Sequence, residues 1–125
     1  MSVDWRRLTR EAKLQLHEDA IEVKFDDDRR HAVYVEVPQE ATLRLWSIVA
    51  KPGTLRSIDN VNLRAWSRNR VTDLVGFKVD RRGRLIGEAW VPVAGLNADE
   101  WGFYVRTVAR ACDRFEYILT GRDLE

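Results

Sequence analysis

Two hydrophobic rhythms alternate along the chain. In the opening DWRRLTREAKLQLH, Trp5, Leu8, Ala12 and Leu16 recur at spacings of three and four, the stripe of an amphipathic helix. Asp4 stands at the N-cap position, so the pattern predicts a helix over about residues 4–17. The period then drops to two. In AIEVKF, Ile21, Val23 and Phe25 alternate with Ala20, Glu22 and Lys24, as in a half-buried strand. DDDRR reads as a polar turn. HAVYVEV sets Val33, Val35 and Val37 against Tyr34 and Glu36, and Pro38 is expected to end that strand. TLRLWSIVA is a third strand, with Leu43, Leu45 and Val49 on one face and Arg44, Trp46 and Ile48 on the other.

KPGT follows as a turn, Pro52 setting φ and Gly53 admitting φ > 0. SIDNVNLRAWSRN has the pattern of a short helix capped by Ser57 or Asp59, burying Ile58, Val61, Ala65 and Trp66 and exposing Arg64 and Arg68. LVGFKVDRRGRLIGEAWVPV is a hairpin: two alternating runs flank DRRGR, where Gly83 permits the reversal. Pro92 and Gly95 break its second strand. Asn97 caps a final helix whose first turn carries Asp99 and Glu100, favourable partners for the helix dipole. Trp101, Tyr104, Val105, Val108, Cys112, Phe115 and Leu119 form its apolar stripe, Arg106, Arg110, Asp113 and Arg114 its polar side, and Gly121 its terminator. The order is α-β-β-β-α-β-β-α. Short connections within each strand group predict a two-layer α+β fold with an antiparallel five-stranded sheet and three helices on one face.

Composition narrows the class. With 125 residues, 45% hydrophobic and 33% charged, the chain reads as a single domain over 1–125, neither disordered nor membrane-spanning. No apolar run approaches the length of a membrane span, and the N-terminus has no signal-peptide core. One cysteine makes no internal disulfide, which suits a reducing compartment, so a cytoplasmic location is expected. The net charge of +1 is uneven: residues 54–87 carry eight basic and three acidic side chains, a local excess of +5.

The element order is also that of the secretion-chaperone-like fold. The strings LVGFKVDRRGRLIGEAWVPVAGL and EWGFYVRTVARACDRFEYILTGRD resemble the hairpin-then-helix half of the YbjN family. Proteins of that family are similar in fold to the class I (CesT-like) type III secretion chaperones. The resemblance spans essentially residues 18–124 and rests on structural motifs. It implies a small dimerising module that binds protein or peptide segments, and it carries over no catalytic residue.

Searched for chemistry, the residues give little sign of an enzyme. Cys112 lies on the inward stripe, where a thiol packs as a small hydrophobe, rather than beside a base that would activate it. His17 and His31 belong to no Cys-x-x-Cys or His-x-x-x-His ligand set, so no metal site and no cofactor is expected. Asp26, Asp27 and Asp28 lack the ligand spacing of a calcium loop. Nucleophile elbows, phosphate loops and dinucleotide fingerprints are missing. The arginine-rich middle, residues 56–84, supports a rival reading as a nucleic-acid-binding regulator through Arg64, Arg68, Arg70, Arg81, Arg82 and Arg84, provided these cations converge.

One feature resists a bland account. The sheet register opposite the core supplies Tyr34, Trp46, Ile48, Ile86 and Trp90, interleaved with Glu22, Lys24, Glu36, Arg44, Lys78 and Glu88. A solvated sheet face does not usually carry two tryptophans and two isoleucines. Either the chain folds over these residues or they form a surface for a second subunit, a bound peptide, or both.

Overall fold

The computed structural model describes residues 3–27, 29–39 and 41–121. Helix α1 (Trp5–Glu11) starts as its cap predicts, with the Asp4 carboxylate accepting from the Arg7 N–H at 3.2 Å. It ends well short of residue 17. Lys13 adopts a left-handed conformation (φ 61°), which stops the helix and turns the chain. Leu16 therefore lies in a short strand, β1 (Gln15–His17), instead of on the helical stripe. Strand β2 (Ala20–Lys24) returns antiparallel to β1, and β3 (Arg30–Gln39) returns along β2. Pro38 does not end β3. The register between β3 and β4 (Thr42–Ala50) shifts between Glu36 and Gln39, an irregularity that accommodates a residue with no N–H to donate.

KPGT forms more than a turn: α2 (Pro52–Leu55) is a single helical turn with Pro52 at its start. Helix α3 (Val61–Asn69) begins later than expected. Asn60, in a left-handed conformation, occupies its N-cap position, and Ser57 instead donates to the Thr54 carbonyl. Ala65 is buried and Val61 packs against the core, whereas Trp66, expected inside, is 57% exposed, with the Arg70 guanidinium 5.1 Å from its ring centre.

The hairpin and final helix follow their patterns closely. Strands β5 (Gly76–Val79) and β6 (Leu85–Pro92) pair antiparallel around a turn in which Gly83 has φ 78°. Helix α4 (Ala98–Thr120) runs from the Asn97 cap, which accepts from the Glu100 N–H at 2.9 Å, to Gly121 in the left-handed conformation.

The chain is α+β, with one antiparallel sheet in the order β1-β2-β3-β4-β6-β5. Among the described residues there are six strands and four helices, where five and three were expected. The additions are β1 and α2, each too short to leave a periodic signature. Helix α4 packs on the inner sheet face. Trp101, Val105, Val108, Cys112 and Phe115 meet Ile21, Val33, Leu43, Leu45, Val49, Leu85 and Val91 there in one core. Thr9 ties α1 to this layer by accepting from the Trp101 indole N–H at 2.9 Å while donating to the Trp5 carbonyl at 2.7 Å. Arg106, expected on the solvent side, folds back to donate to the Ala12 carbonyl at the end of α1.

The β5 edge is covered by a side chain. Asn69 Oδ1 accepts from the Phe77 N–H at 2.6 Å and its Nδ2 donates to the Phe77 carbonyl at 3.0 Å. The α3 terminus thus stands in for a further strand and removes a template for edge-to-edge pairing.

Candidate functional site

The side of the sheet away from α4 carries the residues singled out by the alternation. Strand neighbours face opposite sides, so with Leu45 and Leu43 inside, Trp46, Arg44 and Ile48 point outward. Register then assembles the face. Trp46 pairs with Tyr34 on β3 and with Glu88 on β6, Arg44 with Trp90, and Ile48 with Ile86. The Tyr34 and Trp46 rings stack, with centroids 4.5 Å apart. Arg44 and Arg84 guanidiniums lie 5.7 and 4.9 Å from the centre of the Trp46 ring, within cation–π range.

Exposure differs across the set. Tyr34, Trp46 and Ile48 are half-buried and Trp90 is 50% exposed, but Ile86 is 1% exposed. Ile86 lies between Ile48 and Lys78 in register and offers almost no exposed surface. Trp46 Nε1 meets no hydrogen-bond acceptor among the described residues, although Trp46 is partly buried. A buried donor without an acceptor is costly, and a carbonyl or carboxylate placed against it would relieve the cost.

Charges rim the aromatics in an ordered network. Glu88 accepts from Arg44 Nε at 2.6 Å and pairs with Lys78 Nζ at 3.0 Å; Arg44 Nη1 reaches Glu36 at 3.2 Å. Burial pushes the Glu88 carboxyl upward, but hydrogen bonds and charge from Lys78 and Arg44 more than reverse this and hold it below its ordinary range. Asp80 organises the adjoining turn by accepting from the backbone N–H groups of Arg82 and Arg84 and from the Arg84 guanidinium. Beside Trp46, these elements enclose an open cavity of about 500 Å³, lined by Glu36, Arg44, Trp46, Lys78, Val79, Asp80, Arg81, Arg82 and Arg84.

The arginines read as a nucleic-acid patch do not converge. Arg81, Arg82 and Arg84 border that outer cavity. Arg64 donates to the Ile118 carbonyl of α4, and Arg68 lines a different cavity with Thr107, Arg110, Ala111 and Arg114. Arg70 lies against Trp66. Cys112 is fully buried, its Sγ 3.8 Å from the Ser47 carbonyl, and burial pushes the thiol up to about 12. An inert thiol results.

Sequence reasoning missed a second polar site. Asp113, assigned to the solvent side of α4, is 7% exposed, and Glu116 is 1% exposed. Both turn toward His31, itself 2% exposed on β3, with its Nε2 3.7 Å from Asp113 Oδ1 and 3.5 Å from Glu116 Oε1. Arg29 reaches Asp113 Oδ2 at 2.7 Å from the β2–β3 turn. The available signal was the spacing of Asp113 and Glu116, three apart and therefore on one helical face beside the apolar stripe.

Comparison with solved structures places the fold. The ExsC–ExsE complex matches with a TM-score of 0.64 at 16% identity, over 95% of this chain and 97% of that one. YbjN from E. coli matches with a TM-score of 0.60 at 11% identity, over 90% and 84%. The Yersinia pestis type III secretion chaperone SycH, in complex with a stable fragment of YscM2, matches with a TM-score of 0.54 at 11% identity, over 93% and 96%. A comparison with curated proteins finds no match. Among the described residues no helix is long and apolar enough to cross a membrane. The model of the YbjN family, described as "putative bacterial sensory transduction regulator", matches residues 7–117, and the chain belongs to that family.

Proposed function

We propose that this protein is a non-catalytic protein- or peptide-binding module, chaperone-like or regulatory, that acts in the cytoplasm as a homodimer. One observation carries the reading. The outer sheet face presents a half-open aromatic cluster, Tyr34, Trp46 and Trp90 with Ile48, beside a concave, charge-rimmed surface. Aromatic anchors within a polar rim are the composition of a protein contact surface. The likeness in fold to SycH, whose structure holds a bound protein fragment, supports the same reading. The rim also sets orientation: Arg44 and Glu88 are locked by mutual ion pairs, so a partner meets fixed charges with little ordering cost.

The nucleic-acid alternative is weaker on the same surface. Arg44, Arg84 and Lys78 are committed to carboxylates of this chain, and the α3 arginines border another cavity. Phosphate binding needs several free, convergent cations.

Sedimentation of the wild type and a Trp46→Ser/Trp90→Ser variant tests the proposal, with thermal melting of both samples. The expected result is a folded variant with weakened self-association. An unchanged association state together with a collapsed melting temperature would assign the tryptophans to ordinary core. Steep, salt-dependent affinity of the wild type for labelled DNA or RNA would favour the alternative.

A further inference from the structure

His31, Asp113 and Glu116 come together from β3 and α4 in the interior, and hydrogen bonding fixes which atoms face inward. Ser47 has one hydroxyl proton, and it is spent on the Ala32 carbonyl at 2.7 Å. Toward His31 Nδ1, 3.3 Å away, Ser47 Oγ is therefore an acceptor, so Nδ1 carries the ring proton. In the neutral ring, Nε2 then holds a lone pair. That lone pair faces two carboxylate oxygens, Glu116 Oε1 at 3.5 Å and Asp113 Oδ1 at 3.7 Å, and Nε2 has no hydrogen-bond partner among the described residues. Arg29 engages the other oxygen of Asp113, Oδ2, and so leaves Oδ1 turned toward the imidazole. Three electron-pair donors converge on one buried point. Such an arrangement offers a cation three ligand atoms.

We infer that His31 Nε2, Asp113 Oδ1 and Glu116 Oε1 form a binding site for one divalent transition-metal ion of the zinc class. The three atoms lie within 4.8 Å of one another. Ligand atoms about 2.0–2.2 Å from a tetrahedral zinc are about 3.4 Å apart, close to the two separations from Nε2. One imidazole and two carboxylates form a borderline donor set, suited to zinc, manganese or iron(II) rather than to calcium or copper(I). The support behind the ligands is also of the right kind: Ser47 holds His31 through Nδ1 and Arg29 holds Asp113 through Oδ2. Cavities flank the cluster on two sides. His31 and Ser47 line a cavity of about 140 Å³ with Ala32, Tyr34, Ile48 and Lys51. Asp113 lines another of about 350 Å³ with Asp27, Arg29 and Tyr117. A bound ion cross-links β3 to the C-terminal half of α4, so occupancy stabilises the layer that supports the outer face.

The test uses the full-length protein stripped with chelator and titrated with Zn²⁺ by calorimetry, and with Co²⁺ followed by visible absorption. One ion per chain is expected, with a raised melting temperature that returns to the starting value on chelation. His31→Gln and Glu116→Gln should each lose more than about tenfold in affinity. Asp27→Asn, altering an exposed carboxylate at the cavity rim, should keep it. If His31→Gln fails to fold, Asp113→Asn and Glu116→Gln carry the comparison. The inference is overturned if the stripped protein binds no Zn²⁺ at micromolar concentration, or if binding survives unchanged in the folded ligand variants. It is equally overturned if ring nitrogen NMR shows His31 as an imidazolium at neutral pH while Zn²⁺ leaves the melting temperature unmoved, because a proton then supplies the cation.

Discussion

Trp46 stacks on Tyr34 across the β3–β4 pair, ring centroids 4.5 Å apart and planes 25° from parallel. The contact follows from register, since the two residues are directly opposed on adjacent strands, where side chains on one face approach closely. An aromatic pair of this geometry adds about 0.5–1.5 kcal/mol beyond its area. A double-mutant cycle of Tyr34→Ala and Trp46→Ala, read by denaturant melts, should return a coupling of that size. Strict additivity would show that the stack is incidental to the fold.

Gly87, on β6, leaves no room for a side chain between the sheet and α4. A Cβ there would lie 2.5 Å from Cys112 Sγ and 2.9 Å from Phe77 Cε1. Phe77 is itself pinned, packed edge-on against Phe115 at 4.7 Å. Overpacking of a filled core costs about 1–3 kcal/mol. Gly87→Ala should therefore lower stability by at least that much, and adding Cys112→Ala should recover part of the loss. A Gly87→Ala protein that melts like the wild type would contradict this packing.

The fold was legible where local chemistry announces itself. Asn97, Gly83 and Gly121 mark the ends of β5–β6 and α4 through a cap and left-handed turns, and the structure uses all three as such. Errors arose where two periods coincide or where the chain overrides a breaker. Leu16 fits the helical spacing from Ala12, but LQLH also alternates, and the left-handed Lys13 decides for a strand. Pro38 stays in β3 because a register shift removes the demand on its missing N–H. Trp66 points outward although Ala65 beside it is buried, a sorting that the short stripe of α3 does not make. The aromatic face was readable because alternation alone sorts Trp46 from Leu45. The pairing of His31 with Asp113 and Glu116 was not, because it depends on where α4 crosses β3. No local pattern encodes that crossing.

Asp80 couples the hairpin turn to acid stability. Burial pushes its carboxyl upward, but hydrogen bonds from the Arg84 backbone and guanidinium, with the Arg82 N–H, outweigh this and hold it below its ordinary value. As pH falls, the unfolded chain takes up this proton first, near pH 4. The stabilisation is therefore present above about pH 4 and is lost as pH drops through the lower folded value. Glu88 acts in the same direction. Asp80→Asn should cost about 1–3 kcal/mol at neutral pH through the weakened charged hydrogen bonds. It should also flatten the acid limb of a stability–pH curve. An acid limb identical to that of the wild type would remove Asp80 from the account.

Cys112 sets the opposite limb. Its thiol lies on the inward stripe of α4 at 0% exposure, and burial pushes it up to about 12, with the nearby Glu116 and Asp113 carboxylates adding in the same direction. In the unfolded chain a cysteine titrates near 8.5. Above that pH the unfolded chain releases its proton while the folded chain keeps it, so stability is full below about pH 8.5 and declines as pH rises toward 12. Each unit in that window removes up to about 1.4 kcal/mol. Urea melts of the wild type and Cys112→Ala between pH 8 and 11 isolate the effect, because the lysines and tyrosines are common to both. The alanine variant loses packing at every pH, but its stability should fall less steeply above pH 8.5, so the two curves converge. Parallel curves would mean that the folded protein lets this thiol ionise, and rapid labelling of the native protein by a thiol reagent would accompany that outcome.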